Sequence, residues 1–85
     1  MRLISPQKVD CDNGATIQVA DRYTVEYTSK TCKWSVEVDF GVVTTGILRS
    51  TLKLDKGPSS IDADTTLKYI FDALSLMGQK CQIIE

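Results

Sequence analysis

Few residues in this chain are equipped for chemistry. Carboxylates come first, because a pair on one surface can act as acid and base. Glu37 and Asp39 lie in an alternating stretch, Cys32 to Phe40, so they share one strand face. Glu26 falls where a neighbouring strand brings it beside them. Hydrolytic or metal-assisted work would need a cleft and further ligands. The same face carries Thr24, Thr28, Lys33 and Ser35, which makes it a mixed, solvated surface. Asp10-Cys11-Asp12-Asn13-Gly14 has the Asp-x-Asp-x-Gly opening of a calcium loop. It lacks the later oxygen ligands, the closing Glu and flanking helices. A turn is predicted there, with Asn-Gly supplying positive φ angles. No metal or other cofactor is expected.

The chain has no histidine. That removes the commonest general base, zinc ligand and partner of a nucleophilic Ser or Cys. Its 3 cysteines, Cys11, Cys32 and Cys81, form no Cys-x-x-Cys motif. Buried free thiols are expected; a disulfide between two of them would imply an oxidising compartment. A reactive thiol would need activation by Lys30, Lys33 or Lys80, and Cys32 has the core parity of its strand. Gly41 and Gly46 flank a short segment with no helix directly after it. A phosphate-cradling loop needs that helix, so bends are predicted. No catalysis is expected.

Net charge is −1 and the cations are scattered singly. Polyanion binders carry a basic stripe or patch, so nucleic acid is not an expected partner. No stretch approaches the ~20 apolar residues that span a membrane. Met1 to Lys8 lacks the apolar run of a signal peptide. A cytoplasmic protein without membrane contact is expected. At 85 residues one domain, 1–85, is predicted, with a modest core that buries roughly 60–65% of the unfolded surface.

The positioning elements follow from period. Leu3, Ile4 and Val9 suggest a short edge strand broken at Pro6. Ile17 and Val19 alternate with polar neighbours in 15–20. Tyr23, Val25 and Tyr27 form one face of the next strand. The polar loop Ser29-Lys30-Thr31 makes a hairpin with Cys32–Phe40, the central strand, which holds the single Trp34. Ile47 to Leu54 resumes alternation, with Leu48, Ser50, Leu52 and Leu54 on one side. A helix is predicted over 62–77: Asp62 caps it, with Ser59 or Ser60 as rivals. Leu67, Ile70, Phe71, Leu74 and Met77 form its stripe, and Gly78 closes it. Cys81 to Ile84 is a final short strand. The fold class is α+β: an antiparallel meander of five or six strands, with one C-terminal helix on one face.

Tyr69, Ala73 and Leu76 form a second apolar line on that helix. Covered by loops it is structural; exposed, it is a patch for a second chain. Docked on itself it would give a homodimer with an isologous interface. That supports an alternative reading as a homodimeric structural subunit, or as a phage or mobile-element inhibitor.

From Ser50 the chain runs Ser-Thr-Leu-Lys-Leu-Asp-Lys-Gly-Pro-Ser-Ser-Ile-Asp-Ala-Asp. Then come Leu67-x-x-Ile70-Phe71-x-x-Leu74, Met77-Gly78 and the last strand. This order of strand, Pro-containing loop, Ile-Asp helix start, helix, Gly and final strand resembles small α+β immunity proteins of bacterial polymorphic toxin and contact-dependent inhibition systems. The resemblance covers about the last 35 residues and the preceding meander in outline. Those families often carry a tryptophan near the loop at 55–58, where this chain has Lys53-Leu54-Asp55. The resemblance implies a protein that neutralises a cognate toxin domain by occlusion, without chemistry. It implies acidic groups facing a basic toxin site, for which Glu26, Glu37, Asp39, Asp55 and Asp62 are the candidates.

Overall fold

The computed structural model describes residues 1–85. Strands β1 (Arg2–Ser5), β2 (Lys8–Asp10), β3 (Thr16–Asp21), β4 (Thr24–Thr28), β5 (Lys33–Phe40) and β6 (Thr45–Lys56) precede helix α1 (Ala63–Leu76) and strand β7 (Cys81–Ile84). The strands lie in one 7-stranded sheet in sequence order. Every neighbouring pair is antiparallel except β6–β7, which is parallel. A parallel pair needs a long crossover, and α1 supplies it. The α+β class and the presence of the terminal helix and strand agree with the sequence reading, but the parallel β6–β7 pair departs from the wholly antiparallel sheet expected there, because the chain returns through α1 to enter β7 in the direction of β6. The count of 7 strands exceeds the expected five or six, because the first segment folds into two. β1 and β2 pair around the Pro6–Gln7 turn, with an irregular register between Leu3 and Ser5.

The helix covers one face. Val9, Ile17, Val25, Val36 and Ile47 from the strands meet Leu67, Ile70, Ala73 and Leu74 from α1, all buried. Each fully buried aliphatic side chain contributes about 1.5–3 kcal/mol. Tyr27 faces Trp34 across β4–β5, and both belong to this cluster. The Trp34 indole N–H donates to Ser59 Oγ at 3.0 Å. Ser59 Oγ also accepts from Ile61 N–H at 3.2 Å and donates to Ile61 O at 2.8 Å, which pins the loop before α1 to the central strand.

Two expectations about facing are corrected by bulges. Val19 faces Val25 but Asp21 faces Thr24, so Ala20 is an extra residue in β3. As a result Tyr23 falls in the turn, 60% exposed, rather than on the buried face with Val25 and Tyr27. The Arg22 guanidinium lies over its ring, 5.7 Å from the centroid. In β6 the break is larger. Ser35 faces Lys53, yet Glu37 faces Leu48, so residues 49–52 bulge opposite Val36 alone. Thr51 bridges the gap: its hydroxyl accepts from Glu37 N–H at 2.8 Å and donates to Leu48 O at 2.7 Å. A bulge resets strand parity. Ile47 is therefore buried and Leu48 turns outward with Glu37, while Leu52 packs against the core.

Both ends of α1 are closed locally. Asp62 is the N-cap, accepting from Thr65 N–H at 2.7 Å. That bond holds its carboxyl below the usual range for aspartate. At the other end Gly78 adopts φ +94°. Its N–H donates to Ser75 O, and Gln79 N–H donates to Leu74 O, both at 3.0 Å. This is the paired closure of a Schellman motif, which favours glycine at the left-handed position. The buried face comprises Thr66, Leu67, Ile70, Ala73 and Leu74. It is rotated from the predicted stripe, leaving Phe71 and Met77 only half-buried.

Candidate protein-binding site

No helix covers the outer sheet face, and the sequence-nominated acidic residues divide upon it. Thr24 faces Glu37 and Ser35 faces Glu26, so Glu26, Glu37 and Asp39 share that side. Glu26 is neutralised by Lys33 at 2.9 Å. Their hydrogen bond and attraction hold the Lys33 ammonium above its usual pKa. Asp55 pairs with Lys53 at 3.8 Å. Lys53 faces Ser35 and Lys56 faces Lys33, so this half of the face mixes both signs. Asp62 sits apart, occupied in capping α1 on the covered side. Glu37 and Asp39 are exposed, and neither has an ion-pair partner.

Apolar groups flank this free acidic pair on the β6–β7 side and at the β5–β6 turn. Leu48 on β6 faces Glu37 on β5 and Ile84 on β7, which places both aliphatic side chains on the outer face. Gly46, opposite Asp39, makes room for Ile84: a Cβ there would meet Ile84 Cδ1 at 2.5 Å. Beyond Asp39 the β5–β6 turn holds Val42 and Val43 in solvent, 104% and 78% exposed. The β6 bulge opens a hollow of about 290 Å³ beside Glu37, lined by Thr24, Ser35, Val36, Thr51 and Lys53 as well. Leu48, Ile84, Val42 and Val43 were not nominated from the sequence. Strict alternation places Leu48 on one side with Leu52 and Leu54, and the bulge separates it from Leu52, which packs against the core. The two valines between Gly41 and Gly46 did carry a signal, an apolar pair at a predicted bend.

The proposed helix patch does not form one surface. Ala73 is fully buried. Tyr69 is half-buried and packs on Tyr27, ring centroids 6.0 Å apart and planes at 40°. Only Leu76 is exposed, at 43%. The reason is the rotation of α1, which puts the 66–70–73 line at the sheet.

The remaining chemistry is sparse. All three cysteines are free thiols. Burial pushes the Cys11 and Cys81 thiols up in pKa, and an uncharged thiol is a poor nucleophile. Burial likewise raises the Tyr27 phenol, whose oxygen accepts from Asn13 Nδ2 at 2.8 Å. No group of His, Cys, Asp or Glu side chains is arranged to hold a metal ion. The largest cleft, about 540 Å³, opens where the Pro6 and Asp21–Arg22 turns meet Phe40 and Met77. Its two charged groups already serve the turn: Asp21 accepts from Tyr23 N–H at 2.8 Å, and Arg22 stacks on Tyr23. No helix is long and apolar enough to cross a membrane.

With this geometry in place, comparison with protein families, curated proteins and solved structures finds no significant match to the chain.

Proposed function

We propose that the chain is a protein-binding module that works by occlusion, and specifically an immunity protein that masks a cognate bacterial toxin domain in the cytoplasm. One observation carries the reading. Glu37 and Asp39 stand exposed and unpaired on an uncovered sheet face, beside exposed Val42, Val43 and Ile84. Protein interfaces combine an apolar centre with charged groups that fix register and speed encounter. Two free carboxylates complement a basic site such as a nuclease toxin presents. Occlusion requires no reacting group, in keeping with the sparse chemistry above.

The experiment is co-purification with the product of the reading frame directly upstream of this gene, where a toxin gene belongs. A stable complex is expected, weakening as salt rises because the contact includes exposed charge. Glu37→Lys with Asp39→Lys is expected to weaken it at least about 100-fold, since like charges at an interface cost several kcal/mol. Absence of a complex overturns the immunity reading. A complex indifferent to the double reversal overturns the assigned face.

A further inference from the structure

The second feature without an assigned role is the open edge of the sheet at β7, which does not depend on the reading above. Thr45 faces Cys81, and Thr45 N–H donates to Lys80 O at 2.7 Å. In a parallel ladder this turns the N–H and C=O of Lys80 and Gln82 toward β6. Cys81 and Ile83 therefore direct theirs to the open edge. The strand Cys81-Gln82-Ile83-Ile84 contains no charge and no proline, and its register with β6 has no bulge. Edge strands left in this state pair with other chains. The opposite edge is protected. β1 carries Arg2, is followed by Pro6, and pairs irregularly with β2.

We propose that β7 pairs antiparallel with β7 of a second copy across a two-fold axis at Gln82, which joins the two sheets. A two-fold between antiparallel neighbours stands perpendicular to the sheet, so inner-face residues must meet inner-face residues. Gln82 then meets Gln82, and Cys81 meets Ile83 of the other copy. That register uses every free backbone group of Cys81 and Ile83, each facing pair exchanging both its hydrogen bonds.

The side chains near the edge are self-complementary. A groove of about 420 Å³ lies between α1 and β7, floored by Leu67, Phe71 and Ile83. Ile83 is 39% exposed, and a second strand at this edge covers it. Arg49 and Asp64 on the rim bond to each other. Lys68 and Asp72, also on the rim, have no ion-pair partner within the chain. The two-fold runs the two α1 helices antiparallel, so Lys68 of one copy approaches Asp72 of the other, and the reverse. A rim with one free cation and one free anion matches itself in an isologous contact.

Sedimentation equilibrium of the purified chain, with no partner present, is the test. A dimer is expected within a concentration series reaching ~100 μM, which admits even micromolar affinity. Ile83→Pro removes an N–H that faces the open edge and leaves the β6 ladder intact, and Ile83→Lys places a charge there. Both are expected to be monomeric, with Trp34 fluorescence unchanged. Lys68→Asp should raise the dissociation constant about tenfold, and adding Asp72→Lys should restore it to within about threefold. A wild-type monomer throughout the series overturns the proposal. So does a dimer that persists in both folded Ile83 variants. Because no toxin enters this assay, its failure leaves the immunity reading standing, and the reverse holds too.

Discussion

Thr51 joins the architecture to the candidate site, and Thr51→Val isolates its contribution. The side chains are nearly equal in shape, so the change removes a hydroxyl and little else. In the wild type that hydroxyl accepts from Glu37 N–H at 2.8 Å and donates to Leu48 O at 2.7 Å. Two hydrogen bonds at a net ~1 kcal/mol each would give about 2 kcal/mol. Glu37 is exposed, so water takes over part of the lost bonding, and the expected cost is about 1 kcal/mol. A domain of this length has ~4–13 kcal/mol of total stability. Each kcal/mol lowers Tm by about 4–8 °C. Urea unfolding followed by the single Trp34 measures the effect, with Thr51→Ser as control because it keeps the hydroxyl. The expected order is wild type at or above Thr51→Ser, with Thr51→Val below both. If Thr51→Val matches wild type while Thr51→Ser is weaker, the methyl group matters and the hydroxyl does not, and the bridging role is refuted.

Two further perturbations probe the turn at the site and the cap of the helix. Gly41→Ala sets a Cβ 2.5 Å from the backbone oxygen of Thr44, whereas Gly46→Ala meets only the flexible end of Ile84; thermal melts should show Gly41→Ala clearly destabilised, and Gly46→Ala losing less than about 1.5 kcal/mol as Ile84 changes rotamer. Asp62 has a folded pKa below its ordinary value, so its contribution is fully present above the ordinary aspartate pKa and is lost as pH falls through the folded one. The Tm gap between wild type and Asp62→Ala should thus be widest near neutrality and shrink on acidification; a gap that widens in acid would contradict the capping role.

Much of the fold was legible because period and punctuation agree. Trp34, Val36 and Val38 alternate without interruption, and all are buried. Asp62 and Gly78 bracket the helix as their residue types require. What escaped was local backbone counting. Nothing in Leu48-Arg49-Ser50-Thr51-Leu52 marks a bulge, because the hydrogen bond that bridges it, from Glu37 N–H to the Thr51 hydroxyl, is a tertiary contact. The same blindness put Tyr23 inside, since one extra residue at Ala20 is invisible to alternation. Pro6 reads as a break within one short edge strand, yet a proline at a turn serves equally well between two strands. At the site, parity alone placed Glu26, Glu37 and Asp39 on one face. It could not say which would be neutralised, because pairing depends on Lys33 reaching diagonally across β4–β5. On the helix, Ala73 is small enough to lie against the sheet, so the buried face centres on Ile70 rather than on the larger Phe71.

Survival of cells that express the upstream gene product tests the occlusion of a toxin most directly. Wild-type chain supplied alongside it should restore growth. The Glu37→Lys/Asp39→Lys variant, at equal expression and with an unchanged melting curve, should not. Killing undiminished by the wild-type chain would contradict the immunity function, and full protection by the folded variant would contradict its placement on the Glu37–Asp39 face.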